Sequence, residues 1–105
     1  MIAEVKVEGS WAKIYDDYGN YTGNSIYVGS DYSVEGYNNY FIVVKEDVWA
    51  KIYDYRGNYT GNSIHLGSDY YIRNVSGSAI LVKEGSWVKY YDFRGNYTGH
   101  STYDY

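Results

Sequence analysis

The chain has 105 residues with a net charge of −4, no cysteine, no proline, 17 tyrosines and 12 glycines. Its length suits a single domain with a modest core, and the lack of cysteine excludes disulfides and thiolate metal sites. The acidic balance argues against a nucleic-acid polymer as partner, which calls for a strong basic field, and the aromatic content of 21% is too high for a disordered chain.

In chain order, "MIAEVKVEGS" alternates apolar and polar residues, which predicts a short strand over 3–8 rather than a leader or a membrane segment. A cytoplasmic location and no membrane partner are the matching expectations. "WAKIYD" at 11–16 reads as a strand, "DDYG" at 16–19 as a turn, and "YTGNSIYV" at 21–28 as the returning strand. "GSD" at 29–31 turns again into a third strand over 32–37. After "NN", the segment "YFIVVKE" is apolar on both faces, as a central buried strand would be.

The series then begins again. Trp11, Trp49 and Trp87 lie 38 residues apart, "WAKIYD" recurs at 49–54 and "WVKYYD" stands at 87–92. A fixed period of this size marks a repeat architecture. The expected organisation is a single domain over 1–105: a closing strand at about 1–8, repeats at 9–46 and 47–84, and a partial repeat at 85–105. The fold class is all-β, a pseudo-threefold repeat of about 11 short antiparallel strands. A β-trefoil-like form is the first choice, with a β-prism or a three-bladed, propeller-like form as alternatives. The first strand is expected to pair with the last repeat and close a ring, which would remove exposed edges.

Asp16–Gly19, Asp54–Gly57 and Asp92–Gly95 keep Asp first and Gly fourth while the residues between them vary. Asp can accept backbone N–H groups at the start of a type I turn, and Gly takes the left-handed conformation that closes the hairpin.

The "YDxxGxxT" pattern of Tyr53, Asp54, Gly57 and Thr60 resembles the YD repeats of Rhs-type shell proteins. That likeness covers the hairpin alone, and the 38-residue spacing is not theirs. The layout as a whole resembles short, uncharacterised, tyrosine-rich, three-repeat β proteins of bacteria and their phages. It implies a fold and little chemistry, and it would place a phage-encoded chain in the host-cell cytoplasm.

Alternation sorts the first strand of each repeat into two faces. Ala12 and Ile14, Ala50 and Ile52, and Val88 and Tyr90 form the uncharged face and are the core candidates. Trp11, Lys13 and Tyr15, with Trp49, Lys51 and Tyr53 and with Trp87, Lys89 and Tyr91, form the other. These nine are the candidate ligand-binding residues: aromatic platforms beside a cation can stack on a sugar ring or a nucleobase, or bury against another protein. The same pattern also suits packing, with Lys reaching out to water. Arg56 and Arg94 share a hairpin tip and are candidate anion contacts, for which solvated surface charge is the plainer account.

No nucleophile elbow, phosphate loop or calcium-loop spacing is present, and neither His65 nor His100 recurs in the sibling repeats. The expectation is no enzyme, no cofactor and no metal. The "NYT" sequons at 20, 58 and 96 fall in the turns and are read as turn chemistry. Three functions remain. The first is a lectin-like, non-catalytic module for a carbohydrate. The second is a small protein that blocks or sequesters a host protein or a small anionic nucleotide. The third is a structural unit that self-assembles into a homo-oligomer.

Overall fold

The computed structural model describes residues 1–103; Asp104 and Tyr105, the end of the partial third repeat, lie outside the described residues. Among the described residues there are eleven strands and no helix. β1 (Glu4–Glu8), β2 (Trp11–Tyr15) and β3 (Tyr21–Tyr27) make the first sheet. β4 (Tyr32–Tyr37), β5 (Phe41–Glu46), β6 (Trp49–Asp54) and β7 (Tyr59–His65) make the second. β8 (Tyr70–Ser76), β9 (Ala79–Glu84), β10 (Trp87–Tyr91) and β11 (Tyr97–Tyr103) make the third. Every pairing is antiparallel between chain neighbours, so each sheet is a meander. The sheets divide the chain at the two "GSD" turns, 29–31 and 67–69.

The hairpin corners form as their residues require. Asp16, Asp54 and Asp92 each accept the N–H of the glycine three residues on, at 3.1, 3.0 and 3.0 Å. Their Oδ1 atoms take two further backbone N–H groups each, which fixes the turn from inside. Gly19, Gly57 and Gly95 sit at φ of 78°, 82° and 81°, where a side chain would be strained.

The three sheets lie in file, joined by two separate cores. In the first, Ile42 and Val44 of β5 pack back onto Ala12, Ile14 and Ile26, with Ile2 and Val28 completing the layer. In the second, Ile80 and Val82 of β9 pack back onto Ala50, Ile52 and Ile64 in the same way. The relation between units one and two therefore repeats between two and three. Strand β5 is central in its sheet and contributes to both cores, which is why it is apolar on both faces. Burial of each such side chain is worth roughly 1.5–3 kcal/mol, so these layers supply most of the driving force.

The expected closed ring does not form. β1 is hydrogen-bonded to β2 inside the first sheet rather than to the last repeat. The all-β, pseudo-threefold repeat of eleven antiparallel strands is present, but among the described residues no closed barrel is built, and the sheets form an open file measuring 39 × 27 × 25 Å. The physical reason lies at the two ends. Glu4 and Lys6 occupy the places in β1 that Ile42 and Val44 hold in β5. At the far end Tyr90 and Thr102 stand where Ile52 and Ile64 stand. Polar and amphipathic residues thus stand on the outward faces of the first and third sheets. Gly19 makes the same point: open space surrounds it, while its siblings Gly57 and Gly95 rest on the preceding unit.

Candidate ligand-binding faces

The tight turns between β1 and β2, β5 and β6, and β9 and β10 hold two residues each. They place a glutamate directly across from each tryptophan: Glu8 from Trp11, Glu46 from Trp49, Glu84 from Trp87. The next strand sets an aromatic ring on the tryptophan's other side, Tyr27, His65 or Tyr103. The two rings meet edge to face at 5.4, 4.7 and 5.3 Å between centroids. Such contacts hold the indole in one orientation.

The glutamate organises the rest of each face. Its Oε1 pairs with Lys13, Lys51 or Lys89 at 3.6, 3.2 and 3.1 Å. Its Oε2 accepts the hydroxyl of Tyr15 at 2.8 Å, of Tyr91 at 3.0 Å, and of Tyr53. The lysine ammonium also lies 5.4, 5.2 and 5.4 Å from the rings of Tyr21, Tyr59 and Tyr97. Each lysine is therefore held between a carboxylate and an aromatic face.

These contacts shift the ionisable groups. Burial, with the hydrogen bond to Glu84, pushes the Tyr91 hydroxyl up to about 12. Burial and the bond to Glu46 push Tyr53 higher still. At the exposed first face, the bond to Glu8 raises Tyr15, and the same bond lowers Glu8. Hydrogen bonds to Glu46 and Glu84 raise Lys51 and Lys89.

The choice between a packed and an open Trp-Lys-Tyr pattern resolves residue by residue. Trp11, Trp49 and Trp87 are 47, 42 and 47% exposed, so the indoles are open platforms. The lysines and Tyr15, Tyr53 and Tyr91 are half-buried, and Tyr53 and Tyr91 also pack against the cores. Glu8, Glu46 and Glu84 were missed as site members. Their signal was the invariant Glu-x-x-Trp spacing, which a two-residue turn converts into a cross-strand pair.

Arg56 and Arg94 do not join these faces. They sit at the far end of β6 and β10, over the rings of Tyr55 and Phe93 at 5.4 and 5.5 Å. His65 serves as the ring partner of Trp49, and His100 lies against Tyr90. The chain matches no family model, no curated protein and no solved structure.

Proposed function

We propose that the chain is a non-catalytic binding module that takes a carbohydrate across its repeated Trp–Lys–Glu–Tyr faces. The observation that carries this reading is the half-exposed indole, fixed by its neighbouring ring and flanked by a Lys–Glu pair, in all three units. An indole offers an apolar plate for the C–H face of a sugar. The paired lysine and carboxylate beside it offer donors and acceptors to ring hydroxyls. Because each lysine is already matched by a carboxylate, the face is near neutral, which favours a polyhydroxylated ligand over an anionic nucleotide.

A glycan array is the direct test. Binding to oligosaccharides that weakens with each Trp→Ala change, in a protein that still folds, supports the reading. No glycan bound, with a protein captured through the ring-bearing hairpin tips, would replace it. That second reading draws on the exposed rings of Tyr18, Tyr55 and Phe93 at the hairpin tips, which are the residue types adaptable protein interfaces use.

A further inference from the structure

At the end of the molecule away from the tryptophans, a cavity of about 430 Å³ opens between the second and third sheets. Phe41 and Ile52, 6% and 1% exposed, form its floor, and Phe93 stands at its mouth. Asn38, Asp54 and Thr60 also line it, but the backbone engages most of their polar atoms. Asn38 Oδ1 accepts Tyr40 N and Phe41 N at 2.8 and 2.9 Å, and its Nδ2 donates to Gly77 O at 2.8 Å. Asp54 Oδ1 accepts Arg56 N and Asn58 N, both at 2.9 Å. The Thr60 hydroxyl donates to Ile52 O at 2.7 Å and accepts Asn62 N at 3.2 Å. The hollow is left with an almost wholly apolar surface.

The repeat shows what closes such a space. At the junction of the first and second sheets, Ile2 holds the position that Tyr40 holds at the second junction. Ile2 N donates to Asn39 O at 2.9 Å, and its side chain enters the first core, 1% exposed. Tyr40 is held differently. Its N–H turns back to Asn38 within its own hairpin, and its ring stands out in water, 67% exposed. Phe41, where the first unit has Ala3, enters the second core, and the hollow lies over it. The cavity at the first junction, about 310 Å³, is lined by Met1, Asn39, Tyr40 and Tyr55 and does not reach Ile14, the sibling of Ile52. The chain thus supplies an aliphatic side chain at the first junction and none at the second.

From this geometry we propose that the second-junction cavity takes the branched alkyl group of a small uncharged molecule, in the place that Ile2 fills at the first. The alkyl group lies on Phe41 and Ile52, with Phe93 beside it. Its affinity comes from leaving water for an apolar surface. A polar group in the hollow would lose its water and find few free partners, so the polar end of the ligand stays outside. The site is thus opposite in chemistry to the tryptophan faces.

The test is a titration of the full chain with isoamyl alcohol, followed by amide NMR shifts. Saturable shifts are expected at Thr60, Ser78 and Phe93, with a Kd of roughly millimolar, as suits so small a ligand. Ethanol keeps the hydroxyl and loses most of the alkyl group, so it should bind about tenfold more weakly or worse. Glycerol should give no saturable shift. Phe93→Ala, at an exposed hairpin tip, should weaken isoamyl alcohol about threefold or more. Ser78→Leu, at an exposed position that lines the hollow, should occupy it and weaken binding about tenfold. The proposal is overturned by the absence of saturable shifts, by equal binding of glycerol and isoamyl alcohol, or by unchanged binding in either folded variant.

Discussion

Gly57 sits directly beneath Ser25 of the preceding unit, so that a Cβ built on it would lie 2.8 Å from the Ser25 carbonyl oxygen. Gly95 repeats the contact with Ser63 at 2.6 Å. The hairpin tip of each later unit is thus pressed against the backbone of the unit before it. At Gly19, in the first unit, nothing lies within 4 Å.

The three glycines should therefore respond differently to substitution, although their turns are alike. Gly19→Ala should cost only the strain of positive φ, roughly 1 kcal/mol. Gly57→Ala and Gly95→Ala should cost about 1–3 kcal/mol more, because the backbone oxygen above them cannot rotate away. Chemical denaturation of the three variants measures this. Equal losses at all three positions would show that the turns, and not the inter-unit contacts, set the cost.

Asp47 offers a stabilising change. It is the one non-glycine residue at positive φ among the described residues, at 61°. The equivalent turn positions hold Gly9 and Gly85, at 65° and 64°. Asp47→Gly should raise stability by about 0.5–1 kcal/mol, the strain relieved less the entropy that glycine adds to the unfolded chain. A thermal melt with an unchanged or lower midpoint would count against the strain assignment.

Removal of the glutamate should show which face is most tightly built. Glu46→Ala strands the Tyr53 hydroxyl and the Lys51 ammonium in a half-buried setting and should cost roughly 1–3 kcal/mol. Glu8→Ala, on the terminal face, should cost less, because water replaces the lost partner there. If the platforms bind as proposed, both changes should also weaken glycan binding by freeing the lysine to move. A Glu46→Ala protein as stable as the Glu8→Ala protein would refute the ordering.

Alkaline pH should destabilise the fold in a defined window. Tyr91 titrates near 12 in the folded chain against an ordinary value of 10.0, so the native state holds its proton more tightly than the unfolded state does. The stability this provides is complete below pH 10 and declines as pH rises from there towards 12. Tyr53, Lys51 and Lys89, also raised, act in the same direction. Denaturation midpoints should fall through this range, and Tyr53→Phe with Tyr91→Phe should flatten the decline. An identical slope in the double variant would assign the loss to other groups.

Deletion of residues 1–8 should lower the melting temperature, for a reason other than ring closure. It removes Ile2 from the first core and breaks the bond from Ile2 N to Asn39 O at 2.9 Å. It also turns β2 into a bare edge, an invitation to intermolecular pairing. Size-exclusion chromatography and a thermal melt of the truncated chain test this. A monomer with an unchanged melting temperature would show that β1 is dispensable.

The repeat period, the strands, the Asp–Gly corners and the Ala/Ile core face were all written in local residue choices. A two-residue alternation or a glycine at positive φ acts within one hairpin, so each could be read without its neighbours. The exposure of the tryptophans could not, because it depends on where each sheet's edge falls relative to the sheet stacked on it. Arg56 and Arg94 matched the faces in charge alone; strand length put them at the far end. Ring or open file was likewise undecided by the period, since a 38-residue repeat of identical hairpins suits either. The residues that settle it, Glu4 and Lys6 at one end and Tyr90 and Thr102 at the other, look like ordinary variation along the chain. Only when the sheets are stacked do they prove to lie on the outward faces of the first and third sheets, where polar groups meet water.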